Sequence, residues 1–215
     1  MALRINEIFY SLQGESSFAG RPCVFVRLTG CNLRCVYCDT TYAYEDGEEL
    51  AIEDILSRVA SHGCPLVEVT GGEPLIQAET PLLITRLLDT GYRVLLETNG
   101  SRDVSLADER CVRILDVKCP GSGEVEKNDW KNLGRLTSQD EVKFVLTDRA
   151  DYDFARAVLA RQDFPLGLVE NIHFSPVSGK LLPKILAEWI LSDRLAVKLH
   201  LQLHKIIWGP EARGV

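Results

Sequence analysis

The chain of 215 residues lacks any apolar run near the roughly 18 residues that a membrane-crossing helix needs. Its first residues, Met1 to Glu15, hold no apolar core followed by a small-residue cleavage site, so no secretory signal is apparent. These absences argue against a membrane role and for a cytoplasmic location. A basic cluster is also missing: the net charge is −7 and the isoelectric point about 5.2. Affinity for nucleic acid rests on Lys and Arg at phosphates, so no direct nucleic-acid partner is expected and a small-molecule substrate fits better. No repeat, linker or low-complexity stretch divides the chain. A single domain over residues 1–215 follows from the usual size of about 100–200 residues per domain, and 46% hydrophobic residues can bury a full core.

A disulfide framework is absent as well. Seven cysteines is an odd number with no regular pairing, which in a reducing compartment favours metal binding and free thiols. Cys23, Cys64, Cys111 and Cys119 lie in or beside strand-like runs and read as packed thiols, since free cysteine behaves as a small hydrophobe. The other three stand apart.

They occur in Thr29-Gly30-Cys31-Asn32-Leu33-Arg34-Cys35-Val36-Tyr37-Cys38-Asp39-Thr40, at C-x3-C-x2-C spacing. Thiolates suit iron–sulfur clusters, zinc or Cu(I), and one tight loop can bring all three to one centre. A structural zinc site would ask for a second C-x2-C pair, which the sequence does not contain. A four-iron cluster with three cysteine ligands would keep one iron open. Three packed thiols, or a zinc loop, are the plain alternatives at this point.

Along the chain, residues 3–10 read as a strand, 11–16 as a polar loop and Cys23 to Leu28 as a buried strand. Arg27 is conspicuous there, because a charge among apolar neighbours needs an anionic partner, either structural or a carboxylate of a substrate held bidentately. Ile52, Ile55, Leu56, Val59 and Ala60 mark one face of a helix over 52–62. Strands at 66–69, 94–96, 112–115, 141–145 and 171–174 end in Thr70 to Pro74, Glu97 to Gly100, Asp116 to Lys118, an unremarkable turn, and Ser175 to Val177. Helical patterns run through Leu83 to Leu88, about 152–161, and Ile185 to Ile190. Leu195 to Leu203 reads as a last strand, with Lys198, His200, Gln202 and His204 alternating toward the lumen. Alternating strands and helices predict an α/β fold with a parallel sheet, whose ligands gather at the C-terminal strand ends. A full barrel of about 250 residues is too long for this chain. The expectation is a shortened, open (β/α)6-type partial barrel of mostly parallel strands.

The cysteine loop after an early strand, followed by Gly71-Gly72-Glu73-Pro74, resembles the radical S-adenosylmethionine (SAM) superfamily. That resemblance implies a [4Fe-4S] cluster on Cys31, Cys35 and Cys38, and SAM bound through the open iron and cleaved to a 5′-deoxyadenosyl radical. With Leu12-Gln13-Gly14-Glu15, Arg27, Cys38-Asp39-Thr40 and Gln202-Leu203-His204-Lys205, the chain resembles the 7-carboxy-7-deazaguanine synthase family over nearly its whole length. The family implies a lyase that contracts 6-carboxy-5,6,7,8-tetrahydropterin to 7-carboxy-7-deazaguanine with loss of ammonia, in queuosine and deazapurine biosynthesis. It further implies a homodimer, Mg²⁺ at Thr40, and an electron donor such as flavodoxin or ferredoxin. Tyr37, Cys38, Asp39, Gly72, Asp116, Val117, Lys118, Ser175, Pro176 and Val177 would cradle SAM. Leu12, Gln13, Gly14, Arg27, Thr70 and Pro210 would contact the substrate, although five residues follow Pro210 here. Glu15, Glu97 and His204 would serve catalysis as polar contacts or proton carriers. Two other readings are a radical SAM activase of a glycyl radical enzyme, and an iron–sulfur electron carrier or zinc-binding interaction module. The polar set Gln13, Glu15, Arg27 and His204 favours a small anionic substrate over the first, and the Gly-Gly-Glu-Pro segment disfavours the second.

Overall fold

The computed structural model describes residues 1–165, 167 and 171–215. β1 (Ala2–Leu12) and β2 (Pro22–Leu28) pair antiparallel, and β3 (Glu48–Ala51) adds to the outer side of β1. From β2 onward the sheet is parallel: β4 (Leu66–Gly71), β5 (Arg93–Thr98), β6 (Val112–Val117), β7 (Glu141–Leu146), β8 (Ile172–Pro176) and the two-residue β9 (Lys198–Leu199). The spatial order is β3-β1-β2-β4-β5-β6-β7-β8-β9. Six long parallel strands and a stub thus make the open barrel wall foreseen from the sequence.

Among the described residues five α-helices accompany it: α1 (Ile52–Ser61), α2 (Thr80–Asp89), α3 (Arg149–Leu159), α4 (Pro183–Asp193) and α5 (Leu203–Ile207). Proline in the first turn opens α2 and α4, where its missing N–H costs nothing, and the Asp148 carboxylate caps α3. Between β5 and β7 the crossovers use only short 3-10 turns, at Val104–Leu106, Pro120–Ser122, Val125–Lys127 and Trp130–Arg135. Among the described residues no helix is long and apolar enough to cross a membrane.

The strand pleat sorts side chains by period two. Outward-facing Val24, Val26, Val67, Val69, Val94, Leu96, Val142 and Phe144 meet Ile55, Val59, Leu83, Leu87 and Ala155 of the helices, all buried. The inward set is far more polar: Phe25, Arg27, Glu68, Thr70, Glu97, Asp116, Lys143 and Val145 line a common lumen. Arg113 faces outward and is buried, where Asp140 receives its guanidinium at 2.6 Å.

The C-terminal strand expected over 195–203 is not a strand. Only Lys198 and Leu199 pair with β8, at His173 and Phe174. Leu203 instead donates its N–H to Gly14 O at 3.0 Å, and α5 begins there. β8 ends at Pro176, and the chain is drawn off the sheet toward the 12–16 loop. His204 therefore reaches the lumen from a helix, and Leu199, expected to be covered, is 37% exposed.

Candidate active site

The cavity is about 640 Å³, within the range of small-molecule sites. It opens at the C-terminal ends of the parallel strands, and Cys31, Cys35 and Cys38 all line it as free thiols. Their loop is tied down at its base by Gly30 N to Ala43 O at 2.8 Å and Thr29 Oγ1 to Asp46 O at 2.6 Å. Gly72 presses against it: a Cβ there would fall 2.2 Å from Gly30 O and 2.6 Å from Cys31 Cβ. Glycine is required at this close approach.

Glu73 holds the two segments together. Fully buried, it accepts from Leu75 N (3.0 Å), Thr98 Oγ1 (2.8 Å) and Asn99 N (2.7 Å). Asn99 in turn donates to Cys31 Sγ (3.8 Å) and Asn32 Oδ1 (3.2 Å). Glu73→Gln turns one acceptor into a donor facing these N–H and O–H groups. A loss of about 1–3 kcal/mol is expected in denaturant unfolding, with weaker iron retention; an unchanged unfolding midpoint would refute this role.

The donor set fits an iron–sulfur cluster. Three thiols face one cavity, and N–H groups of Leu33 and Asn99 are aimed at the Cys31 sulfur. Among the described residues no three His, Cys, Asp or Glu side chains are grouped around a single metal ion. A cluster differs, because each thiolate takes its own iron.

Arg27 has its anionic partner in Glu7, Nε to Oε1 at 2.7 Å. A register shift between Ile5 and Glu7 brings Glu7 opposite Arg27, the kind of re-aiming a bulge achieves. Tyr42 Oη donates to the same Glu7 oxygen at 3.0 Å. Glu7 thus steadies the guanidinium while Arg27 still borders the cavity. Phe9 and Phe25 stack at 4.9 Å beside it, giving the lumen an aromatic wall.

Lys143 sits at the centre of the polar lumen. It bonds Glu15 Oε2 at 2.8 Å and also Glu97, and Gln202 Nε2 donates to Glu15 Oε1 at 2.8 Å. Burial pushes the Glu15 carboxyl up, but the Lys143 ammonium outweighs it and holds Glu15 well below the usual range. Burial likewise pushes Lys143 down, and the charges of Glu15 and Glu97 reverse this. Burial lowers His204 despite the opposing charge of Glu15, so it stands neutral near pH 7. His204 packs on Gly14, where a Cβ would lie 2.3 Å from its Nδ1. Lys118 pairs with Asp116 at 2.7 Å.

Thr40 Oγ1 donates to Asp39 Oδ1 at 2.9 Å, and Asp39 Oδ2 receives Lys205 Nζ at 2.5 Å. The structure also brings Leu12, Gln13, Tyr37, Thr70, Val177 and Pro210 to the cavity. The residues after Pro210 also line it, with Arg213 above the Tyr42 ring at 4.3 Å. Val117, Ser175 and Pro176 are not in the lining. Val117 and Pro176 point to the helix side, and Ser175, in register with Val145, is buried within the wall. Sequence reasoning passed over Glu7, Glu68, Tyr42 and Lys143, and took Glu73 only as part of the Gly-Gly-Glu-Pro segment. For Glu68 a signal existed, since it is a lone charge in an apolar strand, as Arg27 is; Lys143 shares its strand with Glu141.

A family model for the Radical SAM superfamily matches residues 25–119. The chain is 50% identical to 7-carboxy-7-deazaguanine synthase of Chlorobaculum tepidum, over 99% of this chain and 97% of that one. It is 46% identical to the enzyme of that name from Koribacter versatilis, over 99% and 100%. Among solved structures, QueE from Escherichia coli superposes with a TM-score of 0.78 at 25% identity, covering 95% of both chains. Such identity, sustained over nearly the whole length of both chains, places the chain in the 7-carboxy-7-deazaguanine synthase family of the radical SAM superfamily.

Proposed function

We propose that the chain contracts 6-carboxy-5,6,7,8-tetrahydropterin to 7-carboxy-7-deazaguanine, releasing ammonia. The observation that carries this reading is one cavity bordered both by three cysteines and by a braced arginine beside an aromatic wall. When bound, the cluster and SAM supply one-electron chemistry that removes a hydrogen atom from the substrate. The chain's own residues do the rest.

Arg27, steadied through Nε by Glu7, receives the substrate carboxylate with its remaining N–H groups. The Phe9–Phe25 wall supports the flat ring, while Glu15 and Glu97 accept from its N–H groups. His204, neutral and beside Glu15, can carry a proton to or from the amine that leaves. Backbone groups of Gly71 and Gly72, with Asp116, Lys118 and Val177, would hold the SAM side of the cavity. Thr40 Oγ1 beside Asp39 offers oxygen to Mg²⁺, which commonly keeps waters and substrate oxygens for its other positions. A homodimer and a reductant of the flavodoxin or ferredoxin type complete the proposal. Exposed Ile206, Ile207 and Trp208 are the apolar surface on which to seek a partner's footprint.

The test is one anaerobic reaction with reconstituted cluster, SAM, reductant, Mg²⁺ and 6-carboxytetrahydropterin, read by mass spectrometry. Formation of 7-carboxy-7-deazaguanine supports the assignment. Cleavage of SAM to 5′-deoxyadenosine without that product would overturn the substrate.

A further inference from the structure

The floor of the cavity holds a carboxyl group to which the reading above gives no task. Glu68, 2% exposed, projects from the middle of β4 in register with Phe25 and Leu95 and borders the cavity. One oxygen, Oε2, accepts from Gln13 Nε2, and no other protein donor among the described residues reaches the carboxyl. Gln13 is itself held at its far end, where Oε1 accepts from Glu15 N at 3.0 Å. That contact fixes which way round the amide sits, so Glu68 Oε2 is committed to accepting.

Charge decides what the other oxygen does. Facing Glu68 are Glu15 from the loop after β1, Glu97 of β5 and Lys143 of β7, with Arg27 and Cys23 of β2 close by. Arg27 is engaged by Glu7, and Lys143 bonds Glu15 and Glu97. One ammonium thus serves two carboxylates, and a third charge in this enclosed floor has no partner. Burial pushes the Glu68 carboxyl well up, and Glu97 and Glu15 push the same way, against only partial relief from Lys143 and Gln13.

We propose that Glu68 stands in the cavity floor as a neutral carboxylic acid whose hydroxyl donates a hydrogen bond to a carbonyl oxygen of the substrate. It is then a specificity-determining residue for an oxo group on a flat heterocycle, and the proposal rests on the pterin reading above. Glu15 and Glu97, both bonded to Lys143, offer acceptors; Glu68 offers the donor beside them. A cyclic amide edge with its N–H and C=O groups presents the complement of that pattern.

The test compares cluster-loaded wild type, Glu68→Gln and Glu68→Leu. Turnover is assayed as above, and substrate affinity is measured by calorimetry from about pH 6 to about pH 9. Glu68→Gln keeps a neutral donor and an acceptor, and should weaken binding by no more than about threefold. Glu68→Leu offers neither and should raise Kd and KM roughly 10–100-fold, with a smaller change in kcat. Wild-type affinity should fall toward alkaline pH as the acid ionises, while the Gln variant stays flat. Parallel pH profiles in wild type and Gln variant would overturn the proposal, as would a Leu variant that binds like wild type. Iron content and thermal melting report folding and loading. If the Leu variant fails them, the pH profile of the Gln variant decides. A wild type that neither binds nor turns over the pterin would overturn the substrate reading, and this proposal with it.

Discussion

Cys35→Ala is expected to give a folded protein that holds only background iron and forms no product. The Cys35 thiol lies half-buried on the cavity wall rather than in the core, so its loss removes a ligand and little packing. Two remaining thiolates cannot hold a cluster that three anchor. The contrast is Cys119→Ala. That thiol is fully buried among apolar neighbours, and its removal should cost about 1 kcal/mol of stability while iron content stays at wild-type level. Iron and sulfide per chain, the visible absorbance and the anaerobic assay together read both variants. A Cys35 variant with full iron would refute the ligand assignment.

Lys143→Met should cost about 3–5 kcal/mol at neutral pH, the usual consequence of stripping a buried charge from its partners. Lys143 is only 7% exposed in its side chain, with Glu15 at 17% and Glu97 at 26%, so solvent screens the group poorly. For a chain of this length the loss corresponds to a Tm lower by roughly 6–20 °C. The pH dependence has a definite sign. Glu15 is held below its ordinary range, largely by Lys143. Its stabilising contribution is therefore complete above the unfolded carboxylate range and fades as pH falls through the folded value. Lys143 is held above its ordinary range, so its contribution is complete at neutral pH and fades only in strong alkali. Without the ammonium, Glu15 takes up a proton more readily. The deficit of the variant should then be largest near pH 7–8 and shrink toward about pH 5. Thermal melts across that window check it, and a deficit independent of pH would show that packing, not charge, was lost.

Features encoded locally were legible in the sequence. The cysteine spacing, the Gly-Gly-Glu-Pro segment and the strand tips each depend on a few adjacent residues, and the structure gathers most of them at one rim. Arg27 announced its need for an anion. Its partner did not, because Glu7 faces it only through a register shift in a pairing made 20 residues apart. Glu68 stands out in its strand as Arg27 does, while Lys143 reads as ordinary alternation with Glu141 until the sheet curves and sets both around one lumen. β3, Glu48–Ala51, has no β-branched residue to mark it and exists because β1 offers it a free edge. The last segment misled for the opposite reason. Its two-faced pattern is real, but polar contacts to the 12–16 loop take the place of a sheet partner.

Those contacts close the barrel where strand pairing stops. Glu15 meets Gln202 across 187 residues of sequence, and Lys198 meets Ser17 across 181. Contacts of such separation carry the greatest loop-closure cost and form late. The cysteine loop and the two strands that frame it span fewer than 40 residues and can form from local contacts, while the seam joins segments more than 180 residues apart. The wall of the chamber therefore closes after its cysteine-bearing end has taken shape.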